Sequence, residues 1–449
     1  MKKATKQPIK RSLKEWLAWQ EELHLSEIDL GLDRIRKVAK NLNLLSPSFP
    51  IITVAGTNGK GSCVAMLDAI LRAQGYKVGN YTSPHLIEYN ERIKLDGENA
   101  SDEQIINAFE AIDKARFSAS HNNDSDNKIS LTYFEFGTLA AMHCFETEKV
   151  DVAILEVGLG GRLDAANLWD ASLALITSID IDHTSWLGND RELIGIEKAG
   201  IMRSGVAAVC GDPMPPKSIK SEAQRIGSVL LQLNKDFSYK VDPDDHEKWI
   251  WKNQESTLNL PRPNLEGEFQ LNNAATVIAG LFSIKKLLPI TQGAISKGLS
   301  KASAMGRLQT ISTSPEWLLD VAHNPHAAKE LAKYLQDKPI SGKTYALFSM
   351  LKDKDIKQVI SIMNQSIDEW HLVPLGGSRG MTINELNHEI KQQSLNGKVI
   401  CHDSFADAYQ DIRNIINFKD RVVAFGSFLV VSETLEINKQ IKGASKGHG

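Results

Sequence analysis

Short runs rich in β-branched residues alternate with amphipathic segments from Pro50 onward. The run 51–55 predicts a buried strand, 62–74 predicts a helix that ends at Gly75, and 77–82 predicts the next strand. The other strands predicted in this part of the chain are 150–157, 172–179 and 206–210. This alternation is typical of βαβ units wound around a mostly parallel sheet.

The pattern changes between residues 237 and 263, where acidic residues, Trp and Pro interrupt it. We interpret this segment as an antiparallel appendage, followed by a helix over 271–288. Residues 297–305 are small and polar and are predicted to link two domains. The βα alternation then restarts, with strands predicted at 316–321, 344–349, 369–374, 398–402 and 421–425.

The whole pattern predicts an α/β protein of two domains. Residues 1–296 are expected to form a P-loop-type domain with a mostly parallel sheet, and 306–449 a second, smaller Rossmann-like α/β domain. A length of 449 residues with 42% hydrophobic and 24% charged content is sufficient for both cores.

Composition excludes several classes of function. The formal net charge of -3 argues against a large nucleic-acid surface, which needs clustered Lys and Arg. No stretch is long and apolar enough to cross a bilayer, and residues 1–11 are basic but lead into a polar, helix-like segment instead of a signal peptide. The four cysteines have no CxxC spacing, which favours a reducing compartment. We expect a cytoplasmic protein.

The octet AGTNGKGS at 55–62 lies between a predicted strand and a predicted helix. Its glycines let the backbone approach phosphate oxygens, and Lys60 adds a positive charge, so the loop predicts a nucleotide site. The spacing departs from the usual GxxxxGK[ST] pattern, because Gly61 separates Lys60 from Ser62. The alternative is a Gly-rich turn in a fold that binds no nucleotide.

Three further polar residues, Ser83, Glu156 and His183, follow the ends of predicted strands. The carboxyl ends of parallel strands gather ligand contacts, so these side chains are candidates to converge. A hydroxyl and a carboxylate suit Mg²⁺, whereas histidine is a less usual ligand. Taken singly, each also fits a purely structural role.

The GTNGKGS loop resembles that of the Mur ligase superfamily, and several other segments resemble its folylpolyglutamate synthase and dihydrofolate synthase family. These segments are IDLGLDRI from Ile28, TSPHL from Thr82, LTYFE from Leu131, LEVGLGGRLDAAN from Leu155, SIDIDHTSWLG from Ser178, IEKAGI from Ile196, DVAHNPHA from Asp320 and GSF from Gly426. One departure is Ala166, where the family commonly has Thr.

The resemblance implies an ATP site and two Mg²⁺ ions, with ATP cleavage driving amide formation through an acyl phosphate. The implied nucleotide-binding residues are Thr57, Asn58, Gly59, Lys60, Gly61, Ser62, Asn273, Arg307 and Asp320, and the implied metal ligands are Ser83, Glu156 and His183. Lys60, Glu156, His183 and Lys198 are the implied catalytic residues. Lys198 is expected to be carbamylated; a solvated helix lysine is the alternative.

Three segments resemble the pterin-recognising parts of bifunctional family members. Their residues are Asp29, Leu30, Gly31, Leu131, Thr132, Tyr133, Phe134, Leu163, Asp164 and Ala165. Phe134 is a candidate to stack on a pterin and Asp164 to pair with its amino-pyrimidine edge, although a core role and a turn role respectively also fit.

The resemblance therefore implies ligation of L-glutamate to 7,8-dihydropteroate, and of further glutamates to reduced folates, by a monomer whose domains close on the nucleotide. A folylpolyglutamate synthase without the first activity and another Mur-type ligase are the near alternatives. A nucleotide-gated binding module that makes no bond is the distant one. The sequence assigns no base to the amine, although His85 and His323 are candidates.

Overall fold

The structure is a computed structural model that describes residues 11–24, 26, 28–117 and 128–446. The basic residues 1–10 considered above lie outside the described residues. The chain forms two α/β domains, each built around its own sheet, which confirms the predicted fold class.

The first domain is built on a mixed sheet with strand order β4-β3-β2-β5-β1-β6-β7-β8. Its strands are β1 (Ile51–Ala55), β2 (Val78–Tyr81), β3 (Ile93–Leu95), β4 (Glu98–Asn99), β5 (Val152–Glu156), β6 (Leu173–Ile176), β7 (Ala207–Cys210) and β8 (Val229–Gln232). β1 lies between β5 and β6 and runs parallel to both. All strands predicted in this region form; β3, β4 and β8 were not predicted.

Helices cover both faces of this sheet. They are α1 (Leu13–Glu21), α2 (Asp33–Asn41), α3 (Lys60–Gln74), α4 (Asp102–Ala115), α5 (Tyr133–Glu148), α6 (Thr184–Leu187), α7 (Arg191–Ala199), α8 (Lys217–Ile226), α9 (Phe269–Ser283) and α10 (Gln292–Lys301). Helix α3 ends as predicted, at a left-handed Gly75 with φ 105°.

The antiparallel appendage predicted after residue 237 is confirmed. It consists of β9 (Phe237–Val241), β10 (Lys248–Asn253) and β11 (Thr257–Pro261). Trp249 and Trp251 alternate with more exposed residues along β10 and are fully buried, and the Trp251 indole donates to Ala275 O of α9 at 3.2 Å. The appendage is therefore packed against the first domain.

The first part of the predicted linker is helical. Helix α10 continues to Lys301, so residues 297–301 are helical and only the following residues form an irregular connection. Helix α10 packs closely on α3 at Gly298. A Cβ at this position would lie 2.4 Å from Ile70 Cα, so a larger residue would not fit there. Where the domains divide along the chain remains a prediction.

The second domain has a sheet with order β12-β13-β17-β14-β15-β16, parallel except for β12. Its strands are β12 (Gln309–Thr313), β13 (Glu316–Leu319), β14 (Thr344–Phe348), β15 (Glu369–Leu372), β16 (Lys398–Cys401) and β17 (Arg421–Phe425). Its helices are α11 (Pro325–Asp337), α12 (Ile356–Met363), α13 (Ile383–Lys391), α14 (Phe405–Ile415) and α15 (Phe428–Lys446). The predicted strands form, and polar β12 was missed.

The two domains are in contact through the loop that follows β2. Leu86 from this loop is buried in the apolar core of the second domain, and its carbonyl accepts a hydrogen bond from Ser432 Oγ at 2.5 Å. The contact brings the carboxyl edges of β1 and β5 opposite the second domain. Among the described residues, no helix has the length and apolarity needed to cross a membrane.

Candidate active site

The loop between β1 and α3 is held by close packing at its glycines. Gly59 has φ 88°, and a Cβ there would lie 2.6 Å from Asn273 Oδ1 on α9. At Gly56, with φ 151°, a Cβ would lie 1.7 Å from Thr177 Oγ1. Only glycine fits these two positions. The backbone of the loop is therefore fixed between α9 and the end of β6, as an anion-binding turn requires.

Two lysines share one backbone acceptor in this loop. Lys60 Nζ donates to Gly56 O at 3.0 Å and to Thr57 O at 3.2 Å, and Lys198 Nζ donates to the same Gly56 O at 2.9 Å. Burial lowers the pKa of Lys60, and it lowers the pKa of Lys198 to about 7 with help from the Lys60 charge. Both lysine side chains therefore lie at the phosphate loop, where a positive charge favours the binding of phosphate.

Glu156 ends β5 directly beside the loop. Its side chain is buried, and Oε2 accepts the backbone N–H of Ser83 at 3.3 Å. Burial raises the pKa of Glu156, whereas the charges of Lys60 and Arg307 oppose that rise. Ser83 and Glu156 thus meet, as the sequence predicted, at the edge of the sheet nearest the phosphate loop.

His183 lies beyond β6, at the start of α6. Burial lowers its pKa to about 4, and nearby Lys354 and Lys60 add to this, so the neutral imidazole prevails at neutral pH. Its neighbour Asp182 is buried as well, and burial opposes its ionisation. The hydrogen bond from His323 and the charges of His323 and Lys354 nevertheless keep the pKa of Asp182 well below its usual range.

The second domain contributes Arg307 and Asp320. The Asp320 carboxylate accepts the backbone N–H groups of Leu308 and Ala322, both at 2.8 Å, which fixes the turn after β13. Arg307 lies against the Phe428 ring, with the guanidinium carbon 5.2 Å from the ring centroid. A Cβ at Gly61 would be 3.8 Å from the Arg307 guanidinium, so this side chain reaches the phosphate loop across the domain border.

All the residues predicted for nucleotide, metal and catalysis line one cavity of about 580 Å³ between the domains. They are Thr57, Asn58, Gly59, Lys60, Gly61, Ser62, Ser83, Glu156, His183, Lys198, Asn273, Arg307 and Asp320. A smaller cavity of about 420 Å³ adjoins it and shares Gly61, Ser83, Glu156 and Arg307. Cavities of this size hold cofactor-sized molecules.

The predicted pterin segments do not line this cavity, but they lie together beside it. The Phe134 ring lies against Gly158, where a Cβ would be 2.8 Å from the ring, and Gly158 lines the cavity. Arg34 joins the first two segments, because it pairs with Asp29 and also donates to Glu135 Oε2 at 2.9 Å. Leu131 is fully buried, and Thr132 caps α5.

Asp164 organises the third pterin segment. Its buried carboxylate accepts the N–H groups of Leu159 at 2.8 Å and Ala166 at 2.9 Å. Burial raises the pKa of Asp164 to about 7, against the effect of these backbone donors. Leu163 and Ala165 flank it in the same turn, which continues into a short 3₁₀ helix at Ala165–Asn167.

The sequence analysis assigned no role to Asp182, His326 and Lys354, which line the main cavity, or to Asn324, which lies next to Asp182. Asn58 and Asn324 exchange hydrogen bonds between their amides at 3.0 and 3.2 Å, and Asn58 Nδ2 lies 3.0 Å from His326 Nδ1. Asp182 and Lys354 form an ion pair at 2.5 Å. Asp182 and Asn324 lay inside motifs already noted, but nothing in the charged run around Lys354 distinguished it.

The candidate base His323 is already engaged. Its Nδ1 lies 2.7 Å from Val321 O and its Nε2 lies 3.4 Å from Asp182 Oδ2. The other candidate, His85, accepts a hydrogen bond from Arg92 Nε at 2.8 Å, and burial together with the Arg92 charge lowers the pKa of His85 to about 4. A neutral His85 beside a cation is a weak base.

The donor set fits magnesium bound jointly by protein and phosphate. Within the described residues, no group of three or more His, Cys, Asp or Glu side chains is arranged to hold a metal by itself. Glu156 nevertheless offers a buried carboxylate beside the Ser83 hydroxyl and the phosphate loop. Mg²⁺ usually takes one or two protein oxygens and completes its shell with phosphate and water.

The fold and this interdomain site define a nucleotide-binding enzyme of the Mur ligase class. The family model described as "Mur ligase, glutamate ligase domain" matches residues 306–428. The dihydrofolate synthase/folylpolyglutamate synthase of Escherichia coli strain K12 is 42% identical over 426 residues, covering 95% of each chain.

Solved structures agree with this match. The structure of E. coli FolC in complex with DHPP and ADP has a TM-score of 0.88 at 40% identity, covering 96% of this chain and 99% of that one. A bifunctional folylpolyglutamate synthase/dihydrofolate synthase with Mn, AMPPNP and L-glutamate bound has a TM-score of 0.85 at 41% identity, with coverages of 96% and 98%. The chain belongs to the dihydrofolate synthase/folylpolyglutamate synthase family.

Proposed function

We propose that this protein ligates L-glutamate to 7,8-dihydropteroate, giving dihydrofolate, and adds further glutamates to reduced folates, with ATP as the energy source. The observation that carries the proposal is the single cavity in which a phosphate loop, paired lysines and a buried carboxylate meet residues of a second domain. Membership of a bifunctional family and the ligands of its solved members support the choice of substrates.

In this proposal the nucleotide is held from both domains. The backbone of the loop and Lys60 bind the phosphates, Arg307 reaches them from the second domain, and Asp320 faces the base or ribose. Asn273 contacts the nucleotide from α9, which its packing against Gly59 supports. The residues between the domains exclude water, which protects a reactive intermediate from hydrolysis.

Ser83, Glu156 and His183 are the proposed magnesium ligands, with two ions expected. Bound Mg²⁺ would neutralise charge as the γ-phosphoryl group moves to the substrate. The neutral His183 imidazole is able to act as a ligand, because a protonated ring has no free lone pair. The Glu156 carboxylate also offsets the charge of Lys60 before the nucleotide and the metal ions bind.

The reaction begins when the carboxylate of dihydropteroate attacks the γ-phosphorus of ATP, releasing ADP and forming an acyl phosphate. The glutamate α-amine then attacks the acyl carbon, and the tetrahedral intermediate collapses with loss of phosphate and a proton. Lys60 stabilises charge on the phosphate oxygens throughout. Phe134 and the Asp164 turn hold the pterin beside Gly158, so that the carboxylate enters from that side.

Lys198 is proposed to carry a carbamate that supplies an anionic oxygen to a metal. The support is its burial against Gly56 O and a pKa near 7, which leaves much of the amine neutral and nucleophilic at neutral pH. Its nitrogen attacks the carbon of CO₂ and loses a proton. Carbon-13 NMR of protein in labelled bicarbonate tests this: a carbamate signal that is lost in Lys198→Met supports it, and an identical spectrum contradicts it.

The remaining proposals concern the organisation and environment of the protein. We propose that residues 1–296 bind ATP and pterin and that residues 306–449 complete the site. The enzyme is proposed to act as a monomer in the cytoplasm. Light scattering of purified protein at assay concentration measures its mass, and a dimer that is needed for activity would contradict the monomer.

Labelled glutamate and ATP, incubated with dihydropteroate in one reaction and with tetrahydrofolate in another, test the function. Labelled product in both reactions supports the bifunctional enzyme. Product from tetrahydrofolate alone would mean a folylpolyglutamate synthase without the first activity. Product from neither acid, with or without ATP hydrolysis, contradicts the proposal and favours another Mur-type ligase or a binding module.

A further inference from the structure

The carboxylate of Asp182 lies at the border between the domains, and most of its side-chain partners belong to the second domain. Its residue belongs to the first domain, in the loop after β6. Lys354 Nζ lies 2.5 Å from Asp182 Oδ1, whereas Asn324 Nδ2 at 3.2 Å and His323 Nε2 at 3.4 Å approach Oδ2. These three partners all come from the second domain. Only 8% of the Asp182 side chain and 6% of the Lys354 side chain are exposed.

The same carboxylate also holds the backbone of the next residue. Asp182 Oδ1 accepts the His183 N–H at 2.8 Å, and His183 has φ 51° and ψ 43°, a left-handed conformation that is unfavourable for a residue with a Cβ. Such a conformation persists only where its surroundings enforce it. Oδ1 is thus shared between the backbone of His183 and the ammonium of Lys354.

We propose that Lys354 is a positioning residue of the second domain, which acts through Asp182 to fix the backbone of His183 at the phosphate site. Contact between the domains then does more than cover the nucleotide. It supplies the charge that holds Asp182 in place, and Asp182 holds His183 in its strained conformation. The part of this inference that concerns turnover rests on the proposed function; the part that concerns the backbone does not.

The Asp182–Lys354 ion pair is better suited to fixing the position of side chains than to raising the free energy of unfolding. A buried ion pair adds little net stability compared with a well-packed apolar pair, because both charges lose their hydration. Removing one partner, in contrast, leaves the other charge buried without compensation. The ion pair therefore favours the relative position of the two domains in which Lys354 lies against Asp182.

Hydrogen exchange of the ligand-free full-length protein tests the backbone part. In Lys354→Met we expect faster amide exchange in the peptide covering residues 180–187 than in the wild type, and Lys354→Arg should restore most of the protection. The matched control is Lys357→Met on α12, whose lysine pairs at 3.6 Å with Glu389 on the surface of the second domain. This control should leave exchange in 180–187 unchanged.

Steady-state kinetics test the coupling. Lys354→Met and Asp182→Asn are each expected to lower kcat about tenfold to a hundredfold, as a small misplacement of a reacting group does. The double variant, which removes both charges, should be no worse than either single variant, because linked residues lose one shared function. Thermal unfolding of all three variants verifies that they are folded.

Two results would overturn the inference. One is wild-type exchange at 180–187 in a folded Lys354→Met protein. The other is a double variant whose loss equals the product of the two single losses, which would mean that the residues act independently. If the wild type instead makes no amide from either acid, the proposed function fails while the exchange result still decides the role of Lys354.

Discussion

The nucleotide side and the acid side of this site are built differently. On the nucleotide side, one short loop at the end of β1 supplies the glycines and Lys60, and the other predicted residues line the same cavity. On the acid side, the predicted residues come from three segments separated by about 30 to 100 residues, only Phe134 is in contact with Gly158 of the cavity, and several of their polar groups already bond within the protein.

The difference reflects what each ligand requires. Phosphate is recognised by backbone N–H groups and positive charge, which a strand, a loop and a helix supply by themselves. A pterin requires a flat apolar surface and a few directed polar groups, which must come from several elements at once. A change on the nucleotide side should therefore affect every acid substrate, whereas a change on the acid side should separate them.

The largest effect is expected for Lys60→Met. We predict a loss of about 100- to 1,000-fold in kcat/KM, equal for dihydropteroate and tetrahydrofolate, because the charge on the phosphate oxygens is lost in both reactions. Steady-state assays with each acid measure it. Lys252→Met, at an exposed position on β10, is the control and should retain wild-type rates. A loss confined to one acid would break the distinction between the two sides.

The next largest effect is expected for Asp164→Asn, which should change how the free energy of unfolding depends on pH. Its pKa is raised from 3.8 to about 7, so the folded protein keeps a proton that the unfolded chain has lost. This stabilisation is fully present below pH 3.8 and is lost as the pH rises through about 7. Asp164→Asn has no ionisable carboxyl group at this position, so its stability should lack this dependence on pH.

Urea unfolding measures this difference. The free energy of unfolding of the wild type, relative to Asp164→Asn, should fall by on the order of 4 kcal/mol as the pH rises through that window. Asp170→Asn is the control, because its side chain is 86% exposed, and it should keep the wild-type slope. Parallel pH profiles of the wild type and Asp164→Asn would contradict the raised pKa.

Phe134→Leu sharpens the comparison from the acid side. We predict that kcat/KM for dihydropteroate falls about tenfold while the KM for ATP stays the same, because the aromatic surface beside Gly158 is lost. Phe136→Leu, two residues along α5 and fully buried, should lower the melting temperature without this selectivity. An equal effect of both variants on dihydropteroate would indicate that Phe134 is only part of the core.

Thr132→Ala is expected to have the smallest effect. Thr132 and Glu135 form a capping box at the start of α5, and losing the cap should cost about 1 kcal/mol. The KM for dihydropteroate should rise slightly as the segment loosens. Thr382→Ala removes the same kind of cap from α13 in the second domain, so it should cost similar stability and leave this KM unchanged. A rise in KM in both variants would point to general loosening.

The sequence predicted the features that arise from neighbouring residues. The phosphate loop, its flanking strand and helix, and the buried strands depend on local patterns of Gly and β-branched residues. Strands β3 and β4 were missed because they are very short, and β12 because it is a polar edge strand. The helical conformation of residues 297–301 was missed because a polar helix end and a polar connection have the same composition.

Contacts across the domain border were beyond the reach of sequence patterns. Lys354 lies 172 positions after Asp182, and only the packing of the two sheets brings the residues together. For Asp164 the sequence supplied the residue but not its partners, since a carboxylate in a turn binds backbone amides as readily as it binds a ligand. Pairing in three dimensions therefore required the structure.

Transfer of a heavy-oxygen label tests the central claim most directly. Dihydropteroate labelled at both carboxylate oxygens is converted to dihydrofolate with ATP and glutamate, and the inorganic phosphate is analysed by mass spectrometry. Formation of an acyl phosphate predicts that each phosphate released with product carries a labelled oxygen from the carboxylate. Unlabelled phosphate alongside labelled dihydrofolate would contradict the account.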